Sequence, residues 1–147
     1  IIKNNLTSVF LLCKYLTKSM IANKYGRVIG ITSLTSEIGI KNISAYSASK
    51  GGMSQFLKSI STELINYNIT VNMIAPGRIK TSMTSDLSEN KRIKDSIKSR
   101  IPIGRFGLPS DISGAALFLA SSYSSYMTGQ SIVIDGGWLG SGGNIPA

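Results

Sequence analysis

Apolar side chains recur at helical spacing from the start of the chain. Leu6, Val9, Phe10, Cys13, Leu16, Met20 and Ile21 fall on one stripe until Gly26 interrupts it, which predicts a helix from Ile1 to about Asn23. Arg27 to Thr32 (RVIGIT) has a different character. It is short, β-branched and mostly apolar at both parities, the pattern of a strand covered on both faces. The helical period returns between Ala45 and Asn66, through Ala48, Met53, Phe56, Leu57, Ile60 and Leu64. Gly51 and Gly52 lie inside it; each costs a helix about 1 kcal/mol, so their presence predicts a close backbone approach. Ile69 to Ala75 (ITVNMIA) predicts a second strand, stopped by Pro76 and Gly77.

Beyond Arg78 the pattern turns polar and basic, with a helix expected over about Ser88 to Ser99, followed by Pro102, Gly104, Gly107 and Pro109. The stretch 78–105 reads as a lid over a cleft. Ser110 or Asp111 can cap a helix from Ile112 to Ala120, Ser131 to Ile134 reads as a third strand, and 138–147 as a flexible tail. Helices and strands alternating in this way predict an α/β fold, a parallel sheet covered on both faces, with 1–147 as a single domain. In such sheets ligands lie beyond the carboxyl ends of the strands. Ser33, Pro76-Gly77 and Asp135-Gly136 all fall at such ends, so three loops are expected to converge on one cleft.

Composition narrows the chemistry. The chain has no histidine, which removes Ser-His and Cys-His catalysis, and one cysteine, Cys13, which removes an intramolecular disulfide and a cysteine metal cluster. No metal site is expected, and Cys13 reads as a buried thiol. Sixteen Lys and Arg against seven Asp and Glu give a net charge of +9, which raises the question of nucleic acid. The charges are spread along the chain, however, and the dense group Lys91, Arg92, Lys94, Lys98 and Arg100 has the spacing of a solvated helix face without interleaved aromatics. Neither nucleic acid nor a membrane is an expected partner, since no apolar run reaches the roughly 18 residues of a spanning helix. A cytoplasmic location is expected. The chain opens at Ile1 inside a helical pattern, without an initiator Met or the layout of a signal peptide, so further sequence upstream is expected.

Tyr, Lys, Ser, Asn and carboxylates are left to do chemistry. Tyr46 and Lys50 are four apart, hence one turn apart on one helix face. A cation so placed stabilises a phenolate and makes the tyrosine a general acid for a carbonyl oxygen. By itself such a pair is more often surface decoration. Ser33, at the end of the preceding strand, can hydrogen-bond the same oxygen or merely satisfy local backbone. Asn5 reads equally as a capping or surface residue.

The runs Asn5-Leu6-Thr7-Ser8-Val9-Phe10, Gly26-Arg27-Val28-Ile29 leading to Ser33, Tyr46-Ser47-Ala48-Ser49-Lys50, Val71-Asn72-Met73-Ile74-Ala75-Pro76-Gly77 and Asp135-Gly136-Gly137 occur in this order, with thirteen positions from Ser33 to Tyr46. Together they resemble the second half of a short-chain dehydrogenase/reductase. The resemblance implies a Rossmann-like doubly wound parallel sheet, present here in its C-terminal part only. It also implies NAD or NADP as cofactor and interconversion of a ketone and a secondary alcohol by hydride transfer. In that reading Tyr46 exchanges the proton, and Lys50 lowers its pKa and holds the nicotinamide ribose. Ser33 orients the substrate oxygen and Asn5 positions a water in the proton relay. Pro76, Gly77 and Ile79 lie against the nicotinamide, and Thr81 bonds its carboxamide or a cofactor phosphate.

Within the family the chain looks closest to 3-oxoacyl-carrier-protein reductases and to sugar-acid dehydrogenases of the gluconate type. A sugar acid or polyol, or a 3-oxoacyl thioester linked to an acyl carrier protein, is therefore the expected substrate. Tyr67 stands where carrier-dependent members place a basic docking residue, with Lys24 available beside it. A homodimer or homotetramer is implied. The family's glycine-rich dinucleotide loop has no counterpart here. Gly136, Gly140 and Gly142 imitate its spacing, but only five residues follow Gly142, too few for the helix such a loop needs. The isolated chain is accordingly expected to bind NAD(P)H weakly and to be inactive, with one edge of strand Arg27 to Thr32 unpaired. The competing reading is a catalytically silent binding or regulatory subunit, or an inactive fragment.

Overall fold

Strand β2, Ile69–Pro76, lies at the centre of a three-stranded parallel sheet in which β1, Gly26–Ile31, flanks one side and β3, Ser131–Ile134, the other. The computed structural model describes residues 1–84 and 91–142. Gly26 pairs with Ile69 and Ile31 with Ile74 on one side of β2, and Met73 pairs with Ser131 on the other. Four α-helices complete the described residues: α1 Ser8–Ala22, α2 Ser44–Leu64, α3 Lys91–Lys98 and α4 Pro109–Ala120.

The alternation along β2 explains the layers. Ile69, Val71 and Met73 point to one face, where they form a core with Met53, Leu57 and Leu64 of α2 and with Val9, Cys13 and Met20 of α1. The other parity carries Asn72, almost wholly buried, whose Nδ2 donates to the Met127 carbonyl at 2.7 Å and whose Oδ1 accepts from the Gln130 amide at 3.1 Å. Asn72 thus holds the connection between α4 and β3 against the sheet, while α4 packs on all three strands. Asn72→Ala removes the partner of the part-buried Met127 carbonyl and of the Gln130 amide, at an expected cost of about 1–2 kcal/mol in urea unfolding.

The expectation of two covered faces holds for β2, which is buried along nearly its whole length, and only partly for β1. Val28 and Ile29 are half-buried and Ile31 is 47% exposed, because a groove of about 440 Å³ runs between α1 and β1. Among the described residues β1 pairs on one edge alone. Its contact with α2 depends on Gly30, where a Cβ would lie 2.2 Å from Leu57 Cδ1.

Several elements differ from the sequence expectation. The first helix begins with a π-helical turn, Lys3–Thr7, before α1. The expected backbone approach at Gly51-Gly52 is absent among the described residues: a Cβ on Gly51 would meet nothing there, and one on Gly52 would meet only the Leu6 side chain, at 3.0 Å. Helix α4 starts at Pro109, three residues early, because proline suits a first helical position. Neither Ser110 nor Asp111 is its N-cap residue, but Asp111 reaches back from the first turn to accept from the Leu108 amide at 2.7 Å. It also pairs with Arg105 at 2.7 Å. Both contacts hold the Asp111 carboxyl at about 2, below its usual 3.8. A depressed carboxyl contributes stability that is complete above its ordinary pKa and fades as pH falls toward about 2. Carbon NMR of the Asp111 carboxyl is expected to show its midpoint there.

The segment read as a lid is only partly one. Its helix, expected from Ser88 to Ser99, is α3; residues 85–90 lie outside the described residues. Ile101, 3% exposed, belongs to a second core with Leu34 and Trp138. That burial also corrects the tail, since Trp138 packs inward and the Leu139 amide donates to Asp135 Oδ2 at 2.7 Å. Gly136 and Gly137 make this possible with φ of +68° and +91°, and a Cβ on Gly136 would lie 2.7 Å from Ile101 Cγ2. The glycine run is therefore a turn that receives the 101–102 segment, with no helix after it through Gly142; residues 143–147 lie outside the described residues.

Candidate active site

The candidate residues gather around the first turn of α2. Ser33 ends the run after β1 and is buried, its Oγ accepting from the Thr35 amide at 3.2 Å, which starts a short turn at Leu34–Ser36. Since Ser33 Oγ accepts there, its own hydroxyl proton remains available. Tyr46 lies in the opening turn of α2 and borders the same cleft, of about 300 Å³, with Ser33, Gly77, Arg78 and Thr84. Lys50 follows one turn later. Its Nζ donates to the Ile31 carbonyl at 2.7 Å and stands 5.8 Å from the Tyr46 ring centroid. Burial lowers the Lys50 pKa from its ordinary value.

Asn5 enters from another side. It sits in the π-helical turn and its Nδ2 donates at 3.0 Å to Ser49 Oγ, which in turn donates at 2.7 Å to the Tyr46 carbonyl. Ser49 is wholly buried and ties the start of the chain to the turn that carries Tyr46. Sequence reading missed it because a serine between two more telling residues in Tyr46-Ser47-Ala48-Ser49-Lys50 carries no signal without its partner. The four residues thus divide into two pairs: Ser33 and Tyr46 border the cleft, while Asn5 and Lys50 line the groove between α1 and β1.

The residues expected at a nicotinamide are less uniformly placed. Pro76 ends β2 and Gly77 reaches the cleft, packed so tightly that a Cβ there would lie 2.7 Å from Asp135 Cα. Gly77→Ala must displace backbone at the mouth of the site, and its expected result is a lower melting temperature together with weaker cofactor binding, read by calorimetry. Ile79 instead pairs with Gly107 and lines an adjoining cleft of about 200 Å³ with Asp135 and Gly136. Thr81 is engaged locally, its amide donating to Thr84 Oγ1 at 2.9 Å. Among the described residues there is no cluster of three His, Cys, Asp or Glu able to hold a metal, and no helix is long and apolar enough to cross a membrane. Cys13 is half-buried with its thiol pKa raised by burial.

A profile of the family described as enoyl-(acyl carrier protein) reductase matches residues 1–139. The chain belongs to the short-chain dehydrogenase/reductase family. Among curated members of that family, the 3-oxoacyl-(acyl-carrier-protein) reductase of Chlamydia pneumoniae is 43% identical over 137 residues, covering 93% of this chain and 54% of the relative. The 2-dehydro-3-deoxy-D-gluconate 5-dehydrogenase of Formosa agariphila is 39% identical over 136 residues, covering 92% and 52%. A crystal structure of a gluconate 5-dehydrogenase from Burkholderia cenocepacia, in complex with NADP and tartrate, matches with a TM-score of 0.90 at 34% identity, covering 92% of this chain and 53% of that one. The chain spans about half the length of the curated relatives it matches. Its sheet is the C-terminal part of the Rossmann-like fold of short-chain dehydrogenases/reductases, and its relatives in the family are oxidoreductases.

Proposed function

We propose that this chain carries the proton-transfer centre of an NAD(P)-dependent oxidoreductase that interconverts a ketone and a secondary alcohol. The observation that carries this reading is the Lys50 ammonium held beside Tyr46 in a turn whose cleft also receives Ser33. The cleft and its margin fit a nicotinamide nucleotide. Among the described residues Lys50 spends one of its three N–H groups, on Ile31, and keeps two for a ribose diol. Gly77 borders the cleft with backbone alone, its Cβ direction being occupied by Asp135.

When bound, the nicotinamide supplies a hydride to the carbonyl carbon, or takes it back in the reverse direction. The protein manages the oxygen. Ser33 donates its free hydroxyl proton in a hydrogen bond to the carbonyl oxygen and fixes the face on which it lies. Tyr46 gives its phenolic proton to that oxygen as negative charge develops, and the Lys50 cation stabilises the phenolate left behind. Asn5, through Ser49, fixes the turn that carries Tyr46 and stands beside Lys50, where it positions a water that returns a proton from solvent. Pro76, Gly77, Ile79 and Thr81 would hold the nicotinamide, with Gly77 bordering the cleft of Tyr46 and Ile79 the adjoining one.

The substrate is a sugar acid or a 3-oxoacyl thioester, the two chemistries named for the curated relatives. The test is turnover by the full-length protein of 5-ketogluconate and of an acetoacetyl thioester with NADPH and NADH, followed by loss of reduced-nicotinamide absorbance. No turnover on either substrate with either cofactor sinks the reading and favours a silent binding subunit. Lys50→Met is expected to lower kcat and raise the Kd for NADP together, since one cation serves both the phenolate and the ribose. A fall in one without the other argues against that double role. Homo-oligomerisation is supported by the apolar surface of α1, where Phe10, Leu11, Leu12, Tyr15 and Leu16 are exposed, Leu12 and Leu16 along the groove beside β1. Light scattering on the purified protein reads it directly.

A further inference from the structure

Arg78 is not among the residues that the Tyr46–Lys50 pairing singles out, yet it borders both the catalytic cleft and a second recess beside it. The recess has a volume of about 460 Å³, and Lys41, Arg78 and Arg100 line it without any Asp or Glu. Its wall includes the Trp138 ring, with the Arg78 and Arg100 guanidinium carbons 5.9 and 5.8 Å from the ring centroid. Two like charges gathered against one aromatic ring at the wall of one recess, with a third cation nearby, repel one another unless something compensates them. Nothing within the described residues does so. The one ion pair there joins Arg105 to Asp111, and the buried Arg78 Nε donates to no partner among the described residues. Burial disfavours the Arg78 cation, and its side chain borders the same cleft as Tyr46.

From this arrangement we infer that Arg78, supported by Arg100 and Lys41, binds an anionic oxygen group at the far end of the substrate while the carbonyl lies at Ser33 and Tyr46. The placement of the carbonyl rests on the oxidoreductase reading. A planar guanidinium offers a carboxylate or a phosphate two parallel N–H donors, and partial burial shields the pair from water. Trp138 fixes the guanidinium plane and excludes solvent from one side. The ligand class is therefore a hydroxy or keto acid, or a chain ending in a phosphate, in preference to a neutral alcohol of equal size.

Calorimetric binding to the full-length protein tests this without turnover. The probes are D-gluconate, D-glucitol as its uncharged counterpart, and 4′-phosphopantetheine. Gluconate or phosphopantetheine is expected to bind more tightly than glucitol, and whichever is tighter identifies a carboxylate or a phosphate as the anion. Arg78→Met is expected to weaken that anion roughly 10- to 100-fold, the equilibrium worth of a charge-assisted hydrogen bond, and to leave glucitol unchanged. Arg78→Lys is expected to recover part of the loss. If Arg78→Met fails to fold, the exposed Arg100→Met decides, with a smaller loss confined to anions. Equal binding of gluconate, phosphopantetheine and glucitol by the wild-type protein overturns the inference, as does an anion affinity untouched by these variants. A protein that binds anions through Arg78 but turns nothing over sinks the oxidoreductase reading alone.

Discussion

Tyr46→Phe is expected to lower kcat by on the order of 10²- to 10⁴-fold, the range by which a positioned general acid accelerates a reaction. The substitution removes one oxygen and leaves the ring, so the position near Lys50, 5.8 Å from the ring centroid, is kept. Its backbone role is kept as well, because the carbonyl of residue 46, not the phenol, accepts from Ser49. Cofactor affinity is accordingly expected to stay close to wild type, while both kcat and kcat/KM fall in parallel, the signature of an interaction made in the transition state. Wild-type turnover by the variant would remove Tyr46 from the acid role. A loss of NADP affinity as large as the loss of kcat would instead indicate that the turn had moved.

The largest expected stability effect lies at Leu57. Leu57→Ala should destabilise the protein by about 2–5 kcal/mol, since it deletes a buried side chain in a core that relaxes only in part. Leu57 is 0% exposed and belongs to the cluster that joins α2 to β2. It also lies over Gly30, where the absence of a side chain is what admits Leu57 Cδ1. Gly30 has no side chain that could move into the space. The cost is therefore expected toward the upper end of the range, measured as a shift in urea midpoint at constant slope. A loss below about 1 kcal/mol would mean that α2 slides onto β1 to close the gap. In that case Tyr46 and Lys50, on the same helix, should lose activity at the same time.

The proposed proton-transfer centre was the most legible part of the molecule. Tyr46 and Lys50 are brought together by the pitch of a single helix, and Ser33 by the short connection from a strand to that helix. Such local geometry follows from spacing alone. The partners that hold the centre are separated in sequence. Asn5 reaches Ser49 across forty-four positions and Lys50 reaches Ile31 across nineteen. Neither bond leaves a periodic trace, because any polar residue tolerated at those positions would read alike. The lid and tail misled for a related reason. Proline and glycine at 102, 104, 136 and 137 signal turns, and a turn looks the same whether it faces water or receives a neighbour. Ile101 and Trp138 are buried because two such turns meet.

By itself the sequence determined the order of helices and strands, the parallel sheet they form and the pairing of Tyr46 with Lys50. Hydrophobic period and residue spacing act over one or two turns, and the chain cannot satisfy them in another way. Only the tertiary structure decided which face of each element is covered and which glycines are contact points. It alone determined that Arg78 and Arg100 both stand against the Trp138 ring in a recess beside the candidate cleft. Those outcomes depend on contacts between segments far apart in the chain, whose energies exist only once the sheet has brought them together.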